Sequence, residues 1–356
     1  MVCKMSTFID LLRQHHQALA TEYSAKLSNN MHKAIDAMLS CKTSLQRQSL
    51  WACDQCEHHD QTPLSCGHRH CPQCQQNTTS QWLARQKAKR LPVEYFMVTF
   101  TLPFELRALA RQKPKAMYQL MFKVTSAILK DFATRQGLGD IGFTSVLHTH
   151  SRRRELHPHL HIIVPNGGYD PKRKQWHKGK KEYLFNAFAL AKVWRARVFD
   201  AIKKHPELSL ANIETLPNKW VVHCKKVGHG LPALKYLSRY LYRGVLPDKD
   251  IIDYDENNVT FRYKDSTTNK ITMRTLPVLK FLMLILQHVL PKGLQRVRDY
   301  GLLSSSAKKL RLIIQLLLLP VHDWLKSTKE TAQAKAKRIC PCCQHEMHCI
   351  GIARIP

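Results

Sequence analysis

For its size this chain is poor in acid. Asp and Glu number 26 against 56 Lys and Arg, a formal net charge of +30 over 356 residues. Such an excess repels itself unless a polyanion neutralises it, and its attraction to phosphate supplies salt-sensitive, sequence-independent affinity for nucleic acid. Uninterrupted apolar runs are missing as well. The longest, Leu276 to Leu290 and Leu310 to Val321, are broken by Lys280, Gln287, His288, Arg311 and Gln315. Both read as buried helices, and no membrane span is expected. Met1 to Gln17 holds no apolar core ahead of a small-residue cleavage site, so no secretory leader and a cytoplasmic location are expected. There the twelve cysteines are not expected to pair as disulfides, and their clustering near the two ends points to metal. No G-x-x-x-x-G-K-[ST] loop occurs, which removes the usual basis for a nucleotide cofactor. Gly137-Leu-Gly139-Asp-Ile-Gly142 matches G-x-G-x-x-G, but it follows a helical stretch and leads into a strand, the reverse of the dinucleotide-binding context, and reads as a turn.

Metal-ligand spacing is the sharpest feature present. Cys53-Asp-Gln-Cys56 and Cys71-Pro-Gln-Cys74 are two C-x-x-C pairs close to the four-cysteine zinc template, in which each pair forms a tight knuckle about a tetrahedral ion. Cys53, Cys56, Cys71 and Cys74 are therefore expected to hold one structural zinc, with Cys66, His68 and His70 able to replace a member or hold a second ion. Cys340-Pro-Cys-Cys343 suggests a second zinc knuckle completed by His345 or His348.

Between these ends the hydrophobic pattern alternates between helix and strand periods. Ser6 to about Ser49 reads as a helical lead-in facing solvent or nucleic acid. A basic helix follows Gln75, then a strand from Tyr95 to Thr101. A helix over Pro114 to Arg135 places Met117, Leu120, Met121, Val124, Ile128 and Phe132 on one face. Phe143 to His148 is a strand joined by Ser151 to Glu155 to the next. Lys172, Arg173 and Lys174 open a basic loop interleaved with Trp176 and Tyr183, the mixture of charge and stacking rings that holds single strands without reading sequence. A helix from Asn186 is expected to turn Phe188, Trp194, Val198 and Ile202 inward. A strand over Lys219 to Cys224, a hairpin of Phe261 to Lys264 with Ile271 to Arg274, and a buried helix from Phe281 to Gly293 complete the pattern.

Two stretches carry chemistry. Leu156-His-Pro-His-Leu-His161-Ile-Ile-Val164 is β-rich and ends at Gly167-Gly168, so His157, His159 and His161, two residues apart, share one sheet face. One strand histidine is ordinarily a satisfied core or surface residue, whereas three in register offer a set of neutral imidazoles suited to a divalent cation. In Pro232-Ala-Leu-Lys-Tyr236-Leu-Ser-Arg-Tyr240-Leu-Tyr-Arg243, Tyr236 and Tyr240 lie one turn apart on one helix face. A phenol near pKa ~10 needs a polarised phosphate to be a useful nucleophile.

Taken in order, Arg69-His-Cys-Pro-Gln-Cys-Gln75, Leu91-Pro-Val-Glu-Tyr-Phe96, Phe100-Thr-Leu-Pro103, His157-Pro-His-Leu-His161, Tyr236-Leu-Ser-Arg-Tyr240 and Gln287-His-Val-Leu-Pro-Lys-Gly293 resemble the two-tyrosine HUH transposases of rolling-circle insertion sequences, over nearly the whole chain. The resemblance implies an α+β fold whose HUH core is an antiparallel sheet of the replication-initiator kind. It implies residues 1–90 as helical lead-in and zinc module, 91–300 as catalytic domain and 301–356 as a helical, basic tail. His159 and His161 would be the HUH pair, with a third ligand taken from His157, His148 or Glu155 and magnesium or manganese as the ion. Two imidazoles favour manganese on chemical grounds. Tyr236 or Tyr240 would attack single-stranded DNA at the ends of a mobile element and at target sites, leaving a 5′-phosphotyrosine, with Arg239 and Arg243 as phosphate contacts. A plasmid-type initiator or relaxase shares this chemistry, and a zinc-bearing DNA-binding regulator without catalysis is the reading from a different class.

Overall fold

The computed structural model describes residues 7–74, 76–180, 182–211, 217–242, 245–265, 267–319 and 337–354, with the side chains of 76–78 and 239–242 left out. The chain begins with α1 (Phe8–Glu22), α2 (Asn29–Leu39), β1 (Gln48–Cys53), β2 (His59–Pro63) and α3 (Gln76–Lys89). Next come β3 (Tyr95–Thr101), α4 (Arg107–Gln112), α5 (Pro114–Arg135), β4 (Gly142–His150) and β5 (Leu156–Pro165). The hairpin β6 (Gly167–Asp170) and β7 (Gln175–Lys178) leads to α6 (Ala187–Lys203), β8 (Val222–Lys226) and α7 (Leu231–Tyr242). Then follow β9 (Ile251–Tyr254), β10 (Asn258–Lys264), β11 (Ile271–Pro277), α8 (Val278–Leu286), β12 (Val297–Gly301) and α9 (Lys308–Leu318). Beyond the undescribed stretch 320–336 lie β13 (Arg338–Ile339) and β14 (Glu346–Ala353). Helices and antiparallel sheets combine in an α+β fold, as expected.

The central sheet runs β12-β4-β5-β3-β8. On β5, Leu156, Pro158 and Leu160 are buried while His157, His159 and His161 are half-buried, the period of two that separates a core face from a polar one. The core face, with Phe96, Val98, Phe100, Leu147, Leu160 and Ile162, packs on α5 and α6. Pro114 at the first turn of α5 supplies a fixed φ where no amide donor is needed, and the helix ends at Arg135. On α6 the inward stripe is Leu190, Trp194, Val198 and Ile202, four apart throughout. Phe188, expected inside, is 83% exposed, because spacing by four from Trp194 selects Leu190.

The N-terminal helices are not a solvent-facing lead-in. Thr7 and Asp10 form a capping box on α1. Ile9, Leu11, Leu12 and Leu19 are then buried against Val259, Phe261, Phe281 and Leu282 of β10 and α8. That burial explains the apolar stripe along a segment otherwise rich in His and Gln. The helix expected to run to Gly293 ends as α8 at Leu286, four residues before the turn containing Pro291. A further sheet, β13-β14-β1-β2, joins the two ends of the chain: Cys53 lies opposite Met347 and Gln48 opposite Ala353.

Candidate metal centres and nucleophile

His159 and His161 meet His148 rather than His157. His148 on β4 sits directly opposite His159 in the antiparallel register, and the ligand atoms of His148, His159 and His161 lie within 4.8 Å of one another. Ring centroids are 5.2 Å apart for His148 and His159, 4.6 Å for His148 and His161, and 4.8 Å for His159 and His161. His157 is 5.2 Å from His159, the same as His148, but it lies four residues from His161 along the strand, whereas His148 sits across from the pair and meets both rings. Nδ1 of His157 is taken by Arg107 Nη2 at 2.5 Å. A guanidinium only donates, so it occupies that nitrogen's lone pair. Glu155 is turned to Arg274, with its Oε1 3.2 Å from Nη1.

The ring tautomers are set by their partners. Nδ1 of His159 lies 2.7 Å from the carbonyl oxygen of His157, which can only accept, so Nδ1 carries the proton and Nε2 keeps its lone pair. Nδ1 of His161 lies 3.0 Å from Thr99 Oγ1, on the opposing residue of β3. With Thr99 accepting, Nε2 is again left for a ligand bond. Burial first, then the neighbouring imidazoles His161 and His159, hold His148 well below the ordinary histidine range. Burial and then His159 push His161 down to about 3. All three rings are therefore neutral near pH 7. Three neutral nitrogens in a half-buried row fit a borderline divalent cation such as manganese better than the oxygen-seeking magnesium, and would leave its charge uncancelled.

Tyr236 stands over this row. Its ring centroid is 6.2 Å from that of His161, edge to face, and the residue is 42% exposed. Ala233, Leu234 and Leu237 of α7 pack on Val146 and Ile163 of the histidine face, together with Trp82 and Tyr95. Positions three before, two before and one after Tyr236 are thus buried, which aims the phenol at the row from the exposed side. Gly230 starts the helix at φ +80°, and a Cβ there would meet the Tyr95 ring at 2.9 Å. Tyr240 and Arg239 belong to α7 but their side chains are outside the described residues, as is all of Arg243. Lys172, Arg173 and Lys174 form the tip of the β6–β7 hairpin, where Asp170 Oδ1 accepts from the amides of Lys172 and Arg173 at 2.9 and 3.1 Å. The hairpin leaves the far end of β5, eight residues or roughly 26 Å beyond His159, so the structure does not bring this tip to the histidines.

The four cysteines expected about one ion divide between two clusters. Cys71 and Cys74 gather with Cys41 and Cys66, whereas Cys53 and Cys56 gather with Cys340 and Cys343. In the first cluster the sulfurs of Cys41 and Cys74 are 3.2 Å apart, Cys66 and Cys74 3.5 Å, and Cys71 and Cys41 3.5 Å. A disulfide would need about 2.05 Å. Four thiolates around zinc at 2.3 Å would stand about 3.8 Å apart, so the set is close to a tetrahedral shell. Cys66 was an open candidate in the sequence, but Cys41 has no partner at knuckle spacing and gave no local signal. His70 is not a ligand: its Nε2 accepts from the Leu290 amide at 2.9 Å. Beside it Arg69 donates to the carbonyls of Leu290, Pro291 and Leu294 at 2.7, 2.5 and 2.5 Å. The motifs at 69–75 and 287–293 thus dock on each other.

With that geometry in place, comparison with known proteins is decisive. The sequence profile described as "Transposase zinc-binding domain" matches residues 11–102, and the one described as "Putative transposase" matches 142–310. The second span contains His148, His159, His161, Tyr236 and Tyr240. A protein of Sinorhizobium fredii named "Putative transposase y4qJ" is 30% identical over 325 residues, 85% of this chain and 81% of that protein. The chain belongs to the IS91-like transposases. The transposase for insertion sequence element IS801 of Pseudomonas savastanoi pv. phaseolicola is 26% identical over 294 residues, covering 77% of this transposase and 70% of that protein. No solved structure matches the chain. Among the described residues, no helix of the transposase is long and apolar enough to cross a membrane. The zinc-binding domain of the family and the cysteine clusters support structural zinc.

Proposed function

We propose that this transposase cuts and rejoins single-stranded DNA at the ends of its insertion sequence and at target sites through Tyr236 and Tyr240, in rolling-circle fashion and in the cytoplasm. One observation carries the reading: Tyr236 stands edge-on to His161, 6.2 Å between centroids, beside a triad of neutral imidazoles. A divalent ion held by Nε2 of His159 and His161 and by His148 would polarise the scissile phosphate and offset its developing charge. Tyr236 Oη gives up its proton and forms the new bond to phosphorus, the bond to the 3′-oxygen of the preceding nucleotide breaks and that oxygen leaves as a 3′-hydroxyl with a proton taken up, and a 5′-phosphotyrosine remains. The reverse attack by a 3′-hydroxyl restores a phosphodiester and frees the phenol. Bond energy is conserved in the tyrosyl ester, so neither ATP nor a phosphate-binding loop is required. Tyr240, four residues on in the sequence, would accept a second strand. Arg239 and Arg243 follow as phosphate contacts on the same segment. The net charge of +30 supplies the general attraction to DNA, and Lys172, Arg173 and Lys174 serve strand away from the cleavage point.

The test uses full-length, zinc-loaded protein with manganese and single-stranded oligonucleotides from the element's ends. A covalent adduct on a denaturing gel, absent with EDTA and absent in a Tyr236→Phe, Tyr240→Phe double variant, is the expected result. An adduct that survives the double variant would reject the tyrosine assignment. DNA binding without any adduct would instead favour the non-catalytic regulator.

A further inference from the structure

We propose that Cys53, Cys56, Cys340 and Cys343 hold a second structural zinc that ties the C-terminal segment to the N-terminal module. Two of its four ligands, Cys340 and Cys343, lie outside the zinc-binding profile, which ends at residue 102. Cys56 and Cys340 are 284 positions apart in sequence, yet their sulfurs are 3.5 Å apart, and those of Cys53 and Cys343 are 3.4 Å apart. All four sulfurs fall within 4.8 Å of one another. This is too far for a disulfide and near the edge length of a zinc–thiolate tetrahedron, about 3.8 Å.

Each half is a built knuckle. The Cys53 amide donates to the His58 carbonyl at 2.9 Å, closing the turn after the first pair. The Cys340 amide donates to the His345 carbonyl at 2.8 Å, and the Gln344 amide to the Cys340 carbonyl at 3.0 Å, closing the second. Cys53 and Cys340 are buried beside Met347, with Trp51 packed against them. The two halves are brought face to face by pairing of β1 with β14, and by Arg338, which reaches Asp60 and Thr62 and lies over the Trp51 ring at 5.0 Å. A four-sulfur set with no open position is structural rather than catalytic. Neither knuckle can close its shell alone, so the ion makes the end of the chain part of the N-terminal module. The notion of a self-contained tail knuckle completed by His345 or His348 is replaced: His345 Nδ1 faces the Cys343 carbonyl at 3.0 Å and His348 faces Asp54 at 3.2 Å.

Two measurements test this on the full chain under reducing conditions. Loaded with cobalt in place of zinc, the protein shows sulfur-to-metal charge-transfer absorption, which counts thiolate sites and ignores the histidines. Cys340→Ser with Cys343→Ser should halve that absorption, as should Cys53→Ser with Cys56→Ser, and combining the two pairs should lower it no further. Wild-type absorption from the tail variant, or a further loss on combining, overturns the shared site. The second measurement needs no variant. In the zinc-loaded wild type, N-ethylmaleimide followed by mass spectrometry should label the exposed Cys342 and Cys349 while sparing Cys340 and Cys343, and removal of zinc should abolish that difference. Labelling of Cys340 and Cys343 as fast as Cys342 in the zinc-loaded protein rejects the proposal.

Discussion

His159 gives its Nδ1 proton to the carbonyl oxygen of His157, 2.7 Å away on the same strand. The ring is thereby fixed with Nε2 as its only lone pair, so the third row position serves the cation site without ligating it. A glutamine places an amide oxygen near where Nε2 stood, whereas an asparagine reaches only as far as Nδ1. His159→Gln is therefore expected to keep measurable manganese binding and adduct formation, and His159→Asn to lose both by about 100-fold or more. Manganese titration followed by electron paramagnetic resonance checks this order, and equal losses would count against the Nε2 assignment.

The same geometry separates His148 from His157. His148→Ala removes one corner of the triad and should weaken manganese binding at least about 100-fold. His157→Ala leaves the triad whole and removes only the partner of Arg107, so affinity should change by less than about tenfold. Isothermal titration of both variants decides it, and a larger loss in His157→Ala would restore His157 as ligand.

Much of this was legible because local periodicity carried it. The alternation along β5 and the apolar spacing of α5 each bury one face, and a buried face writes its period into the sequence. What was illegible depended on partners distant in the chain. C-x-x-C spacing marks a knuckle but not which knuckles share an ion, and pairing of β1 with β14 is what sends Cys53 and Cys56 to the other end of the chain. His157 shares the row with His159, yet strand register sets His148 across from the pair, where it meets both His159 and His161. The first helix read as facing solvent or nucleic acid because the residues it packs on, Phe261 and Phe281, come some 250 positions later.

Arg69 should prove a stability residue rather than a contact for DNA. Its guanidinium answers three backbone carbonyls of the 290–294 turn, and Arg69→Ala would take that donor from all three, leaving Pro291 only the Leu294 amide at 3.1 Å. A loss of about 3 kcal/mol is expected, read as a lower urea midpoint of the zinc-loaded protein with its manganese affinity retained. Arg69→Lys keeps the charge but not the fork and should recover only part of it. An unchanged midpoint with weakened DNA binding would reverse the assignment.

His288 predicts an acid sensitivity of the fold. It is 1% exposed, and its Nε2 lies 2.8 Å from the Arg154 carbonyl, which pins the turn between β4 and β5. Burial, followed by the positive charges of Arg296, Arg154 and Arg111, lowers its pKa to about 4, against some resistance from the Arg154 carbonyl. Between the ordinary value of 6.5 and about 4 the unfolded chain holds a proton that the native chain lacks, so stability is complete above that window and drains away as pH falls through it. His288→Asn keeps a hydrogen-bonding side chain that does not titrate. On moving from pH 7 to pH 5 the wild type should lose roughly 2 kcal/mol more than this variant, with the other titrating groups cancelling in the comparison. Urea midpoints at the two pH values provide the measurement. Equal losses in the two proteins would show that His288 takes up its proton without unfolding the turn it holds.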